Sequence, residues 1–198
     1  MSKELLYGAN LTGASFLFLE LKQVIRLIED GLSEKEIKEK ILSDNIFQYE
    51  KTSSLKRMIP SLLKRASILD KDMQRMILEE PVDIGKTINL YAIMKTDLLF
   101  FEFMNEVIKE KLQTNDYMFE KKDINTYFTY KAEQDEKVAG FSEQTVNKLK
   151  QVFIRILLEV GILKDKRSGE LNRLFLDDRI KEHLLRIGDK HFVRAMGV

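Results

Sequence analysis

Apolar residues recur every third or fourth position along most of this chain, and the register of those stripes predicts helices. Leu17, Leu21, Val24 and Ile28 share one helical face, with Lys22, Arg26 and Glu29 opposite and Gly31 as the stop. Ser33 and Glu36 then form a capping-box pattern ahead of a helix whose inward stripe is Ile37 and Ile41. A third helix begins behind Thr52, Ser53 or Ser54 as cap, and Leu55, Ile59, Leu62, Leu63 and Ala66 cluster on one side of its wheel. Pro60 falls inside this pattern, so it either kinks the helix or marks a late start.

Asp72 to Leu78 reads as a short helix ending before Pro81. The stretch INLYAIMKTDLLFFEFM, residues 88–104, is then expected to continue helically to Leu112. The polar segment QTNDYM, residues 113–118, marks a boundary. Beyond it, KKDINTYFTYKAEQ is a helix with Ile124, Tyr127 and Phe128 on one side. Ser142 caps a long helix with Val146, Leu149, Phe153, Ile156, Leu157 and Val160 as its core stripe, and Gly161 ends it. ILKD, KRSG and ELNRLFL read as strand, turn and strand, and Asp177 or Asp178 caps a last helix, RIKEHLLRI. The expected fold is all-α, mainly helical, with a small β-hairpin. Residues 1–112 form a helical amino-terminal domain with a helix-turn-helix-like basic helix, and residues 113–198 a winged-helix-like carboxy-terminal domain.

Composition narrows the class. Apolar residues are 44% and charged residues 33% of 198, with two prolines, which describes a soluble helical protein. Thirty-three basic against thirty-two acidic residues leave +1, so only local charge is informative about partners. The absence of cysteine removes disulfides, thiolate metal sites and cysteine nucleophiles, and suits a cytoplasmic location. A membrane span needs roughly 20 predominantly apolar residues. Residues 88–104 carry Lys95, Asp97 and Glu102, and each charge costs about 2.5–3.5 kcal/mol at mid-bilayer, so no membrane partner is expected.

Catalytic chemistry finds no foothold. Gly85-Lys86-Thr87 resembles the end of a phosphate loop, but the glycine required five positions earlier is Glu80. His183 and His191, eight apart, lack metal-helix spacing and read as surface or interface residues. Asp97 is expected either to cap a second helical segment or to be hydrogen-bonded in the core, and less readily to mark an ionisable pocket. No enzyme, cofactor, metal or small-molecule substrate is therefore assigned.

Local charge is the positive signal. Residues 51–69 hold five cations and no acid, and Lys56, Arg57, Lys64 and Arg65 ring the non-core side of the third helix. Lys148, Gln151 and Arg155 lie on the outer face of the long helix, and the hairpin adds Lys166, Arg167 and Arg173 beside Lys164, partly offset by Asp165 and Glu170. From these sets Lys56, Arg57, Lys64, Arg65, Lys148, Gln151, Arg155, Lys166, Arg167 and Arg173 are singled out. Lys, Gln and Arg on a helix reach base edges or phosphates, and a basic hairpin lies along a groove. These ten residues are the expected contacts, as two surfaces whose relative weight stays open.

Three blocks, LTGASFLFLE (11–20), NIFQYEKTSSLKR (45–57) and LYAIMKTDLLFFEFM (90–104), together with SEQTVNKLKQVFIRILLEVGIL (142–163), resemble the BrxA family over nearly the whole chain. The resemblance implies a small, mostly helical, non-enzymatic protein of bacteriophage exclusion (BREX) defence that binds double-stranded DNA beside other BREX proteins. It supplies no catalytic residues, and the contacts above come from the charge pattern alone. The family has also carried an inner-membrane label, against which the insertion costs argue. A protein-interaction adaptor with incidental DNA binding is the competing expectation.

Overall fold

A computed structural model describes residues 6–198 as a mainly helical protein. A 3-10 turn, Asn10–Thr12, leads into an extended strap and then α1 (Phe18–Glu29) and α2 (Glu34–Asp44). The capping box of α2 forms as its sequence dictates: the Ser33 hydroxyl accepts from the Glu36 N–H, and the Glu36 carboxylate accepts from the Ser33 N–H at 2.8 Å. Next come α3 (Thr52–Ser67), α4 (Lys71–Glu79) and α5 (Val82–Thr96). The cap of α3 is the Lys51 backbone rather than a hydroxyl side chain. Pro60 neither delays nor ends α3; it is exposed, so the hydrogen bond it removes falls on the solvent side.

The apolar stretch at 88–104 divides at Asp97. Its carboxylate accepts from the Phe100 N–H at 2.9 Å and so caps α6 (Leu98–Phe103), which passes through a π turn (Met104–Ile108) into α7 (Lys109–Gln113). Asp97 is thus the buried cap of a second segment. Lys95 instead stays half-exposed and pairs with Asp189. Among the described residues no helix is long and apolar enough to cross a membrane. Gly85-Lys86-Thr87 lies inside α5, where a Cβ on Gly85 would stand 2.7 Å from the Phe18 ring. That glycine serves close helix packing, and its backbone is not free to wrap a phosphate.

The remaining helices are α8 (Lys121–Gln134), α9 (Glu136–Ala139), α10 (Glu143–Glu159), α11 (Asp178–Arg186) and α12 (Lys190–Ala195). Ser142 caps α10 by accepting from the Thr145 N–H, and Gly161, at φ +76°, ends it. Phe103 of α6 packs on Tyr127 of α8 and Phe153 of α10, with ring centroids 5.3 and 5.2 Å apart. The apolar core therefore runs without a break across residues 112 and 113.

The segments expected as a hairpin form no sheet among the described residues. Leu163 and Leu171 meet in an isolated antiparallel bridge, and Met118 and Glu170 in another. The second segment leaves the pairing after Asn172, whose N–H donates to the Ile162 carbonyl at 2.8 Å. Beyond it, Leu174 and Leu176 turn into the core instead of continuing a ladder.

Candidate nucleic-acid interface

Two clefts flank α10. The first, about 400 Å³, lies between α10, the strap at 12–17 and the first half of α3. Its walls carry Arg57, Lys148, Gln151, Arg155 and Lys166, with Thr12, Ser15, Tyr49 and Ser54 supplying hydroxyls. The second, about 530 Å³, lies between α8, α10 and the turn at 165–169, and adds Lys121, Asn125, Asn147 and Lys150. Gln151 and Lys166 line both.

Charge is distributed one-sidedly. Arg57, Lys121, Lys148, Lys150, Arg155 and Lys166 are the ionisable groups of the two linings apart from Tyr49, and no carboxylate is among them. Among the described residues none of the six cations is in an ion pair. Elsewhere lysines do pair: Lys111 with Asp116 and Asp123, and Lys131 with Glu102 and Glu106. Lys150 donates to the Asn125 side-chain oxygen at 2.8 Å, and its ammonium is pushed below the ordinary lysine range by partial burial and by Lys121. Unneutralised cations around an acid-free opening attract polyanions and raise their local concentration.

The structure merges the two expected surfaces, because Arg57 from α3 joins Lys148, Gln151, Arg155 and Lys166 in one wall. Lys56 and Arg167 are exposed but line neither cleft. Lys64 points elsewhere and donates to the Thr96 carbonyl at 3.0 Å. Arg173 is turned back onto the protein, donating to the Leu112 carbonyl at 2.9 Å and the Tyr117 hydroxyl at 3.0 Å.

Arg65 corrects the expectation outright: it is 1% exposed and cannot meet a solvent-side ligand. Its guanidinium donates to the carbonyls of Ala14 at 2.6 Å and Phe16 at 3.0 Å. Burial pulls it down to about 10, with the charges of Asp97 and Glu20 acting in the opposite direction. A helical-wheel signal existed, since Met58, Leu62, Arg65 and Leu69 follow one another at helical spacing and all are buried. Lys121, Asn125, Asn147 and Lys150 were missed because the second cleft needs α8 beside α10, which no local pattern reports.

His183, expected at the surface or an interface, is buried where α11 meets the N-terminus of α4. Its Nε2 meets the Asp70 carboxylate at 2.6 Å, and Arg186 donates to its Nδ1 at 2.8 Å. Arginine only donates, so Nδ1 accepts and Nε2 carries the proton toward Asp70. Ligand atoms of Asp70, Asp72 and His183 lie within 4.8 Å of one another. A fixed cation already stands against them, as Arg186 is also 4.0 Å from Asp72.

Comparison with known proteins adds to this geometry. The BrxA family model matches residues 6–188. A BREX protein BrxA from Bacillus cereus (strain H3081.97) is 44% identical, covering 96% of this chain and 95% of that protein. Another BREX protein BrxA, from Escherichia coli O9:H4 (strain HS), is 22% identical over 94% of this chain and 88% of its own. The crystal structure of an uncharacterized protein from Magnetospirillum magneticum superposes with a TM-score of 0.83 at 21% identity, covering 96% of this chain and 97% of that one, a likeness of fold.

Proposed function

The chain belongs to the BrxA family, and from that premise we propose that it is a non-enzymatic, duplex-DNA-binding component of a BREX phage-defence system, acting in the cytoplasm beside other BREX proteins. The observation that carries DNA binding is the pair of clefts on either side of α10, whose linings hold no carboxylate and six cations that are in no ion pair among the described residues. In this reading α10 enters a groove and the two clefts receive the phosphates that border it. Asn147, Lys148, Gln151 and Arg155 are the side chains of α10 presented toward the bases or the inner phosphates.

The carboxy-terminal half acts as a winged-helix-like module. Its supports are the order of α8, α10 and the turn at 165–169, and the bridges that hold that turn: Leu171 N–H to the Tyr117 carbonyl at 2.9 Å and Lys164 N–H to the Glu170 carbonyl at 2.9 Å. Lys166 at the tip of the turn is the wing's phosphate contact. The strap and α3 widen the surface beyond such a module, bringing Arg57 to the same duplex.

Electrophoretic mobility shift with a duplex of about three helical turns, titrated across salt concentrations, tests the reading. Phosphate-driven binding weakens linearly on a log–log plot, with a slope of about −0.9 per neutralised phosphate. Binding that ignores salt, or that survives charge reversal of Lys148, Arg155 and Lys166 together, overturns it. The adaptor reading then gains ground, and capture of other BREX proteins from nuclease-treated lysate distinguishes it.

A further inference from the structure

We infer that Arg65 is a positioning residue for the DNA cleft: its buried guanidinium holds the carbonyls of Ala14 and Phe16 and so fixes the strap at 12–17 as the cleft's wall. The inference rests on the DNA-binding reading of that cleft and assigns to a fully buried residue control over a surface it never reaches.

Burial alternates along the strap. Ala14 and Phe16 are buried, while Gly13, Ser15 and Leu17 are more open and line the first cleft. The inward carbonyls have no helix or sheet partner. Arg65 donates to both, and the Asn89 amide nitrogen adds a second bond to the Phe16 carbonyl at 2.6 Å. The strap's far end enters α1 through Leu17, a non-glycine residue at φ +48°. Its near end touches the working surface, since a Cβ on Gly13 would stand 3.2 Å from the Cβ of Arg57. Arg57 in the cleft and Arg65 beneath it thus hold the two sides of one short segment.

Several features of this arrangement work against stability. Among the described residues no carboxylate pairs with Arg65, so the charge is balanced by carbonyl dipoles and by the more distant Asp97 and Glu20. The Asn89 side-chain oxygen is buried without a partner. Leu17 sits in the left-handed region, which branched and bulky residues rarely adopt. An apolar core would be easier to build. Strain in the strap and unsatisfied polarity in the α5 side chain that holds it are the pattern expected where geometry serves a site.

The test uses the full chain, a fluorescein-labelled duplex and three variants. Arg65→Met removes both bonds and the charge. Asn89→Leu removes the third bond together with the orphan oxygen and leaves Arg65 in place. Leu62→Ala, on the same helix and fully buried, removes core packing and leaves all three hydrogen bonds to the strap carbonyls in place. At a temperature where all are folded by circular dichroism, Arg65→Met is expected to weaken duplex binding about tenfold and Asn89→Leu about threefold, through lost preorganisation. Leu62→Ala should bind like wild type, and Arg65→Lys, which retains a donor and the charge, should recover part of the loss. Amide hydrogen exchange should accelerate at 12–17 in the Arg65 and Asn89 variants, with α2 unchanged.

Equal binding by folded Arg65→Met and wild type, or an equal loss in Leu62→Ala, overturns the inference. If Arg65→Met fails to fold, Asn89→Leu carries the test, and wild-type exchange at 12–17 in that variant overturns it. Wild-type protein that binds no duplex at low salt overturns the DNA reading instead, while the exchange measurement still decides whether these residues hold the strap.

Discussion

Arg57 of α3 and Arg155 of α10 line one cleft, although they come from opposite halves of the chain. Neither is in an ion pair among the described residues, so both present full charge to the same opening. This juxtaposition turns two separate basic stretches of sequence into one surface, and it makes specific cations separable by experiment.

The first prediction concerns which cations matter. Glutamate at position 57, 148, 155 or 166 should weaken duplex binding at low salt. Replacing any one of them by alanine should lower the log–log salt slope by about 0.9 if it meets one phosphate. Lys64→Glu should leave both unchanged, because Lys64 lies outside either cleft and donates to the Thr96 carbonyl. Equal effects at 64 and 155 would assign binding to net charge and not to the clefts.

Much of this could be read before the structure. Helix positions were legible because periodicity is local: Ile37 and Ile41, or Leu149, Phe153 and Ile156, reach the core from wherever their helix docks. Several caps were legible for the same reason, Ser33, Ser142 and Asp97 each bonding an N–H three residues ahead, whereas α3 starts from Lys51 and not from Thr52, Ser53 or Ser54. The site was only half legible. Arg65 follows Met58 and Leu62 at helical spacing where Arg57 does not, but the carbonyls that hold it, of Ala14 and Phe16, are dozens of residues away. His183 finds its carboxylate at Asp70, the N-cap of α4, in the same non-local way. Lys121 and Lys150 share a cleft because α8 packs beside α10 through Phe128 and Phe153.

Asp97 gives a pH-dependent prediction. Burial pushes its carboxyl up to about 6 from 3.8, while the Phe100 N–H and the charges of Arg65 and Lys64 act in the opposite direction. Between about pH 4 and pH 6 the folded protein therefore retains a proton that the unfolded chain has lost, and stability from this group falls as pH rises through that window. Asp97→Asn keeps an acceptor for the Phe100 N–H but cannot titrate. Urea denaturation from pH 4 to pH 7 should show the variant gaining on wild type by about 2–3 kcal/mol. Parallel curves for the two proteins would show that Asp97 stays ionised throughout.

Gly169 tests the turn that carries Lys166. At φ +67° it occupies the left-handed region, and a Cβ there would collide with the Phe119 carbonyl oxygen. That oxygen belongs to a segment already tied to the turn, since the Phe119 N–H donates to the Gly169 carbonyl at 2.8 Å. Gly169→Ala should cost about 1–3 kcal/mol, combining backbone strain with the displaced contact. Duplex binding should weaken as Lys166 loses its placement, measurable below the variant's lowered melting temperature. A variant as stable as wild type would mean the turn relaxes freely.

Arg173 separates structural arginines from working ones. It was expected among the DNA contacts, yet its guanidinium donates to the Leu112 carbonyl, the Tyr117 hydroxyl and, at 3.3 Å, the Asn115 side chain. It also lies over the Tyr117 ring, 5.7 Å from the centroid. These bonds fasten the loop after α7 to the segment leaving the turn at 165–169, and they engage the Nε and Nη2 donors, so a phosphate cannot take the guanidinium's bidentate Nε–Nη2 edge without displacing them. Arg173→Ala should therefore lower stability by about 1–2 kcal/mol, the ordinary worth of a few partly exposed hydrogen bonds. The affinity and salt slope of the folded variant should match wild type within twofold. A slope that drops by about 0.9 would return Arg173 to the DNA surface and show that its bonds exchange for phosphate on binding.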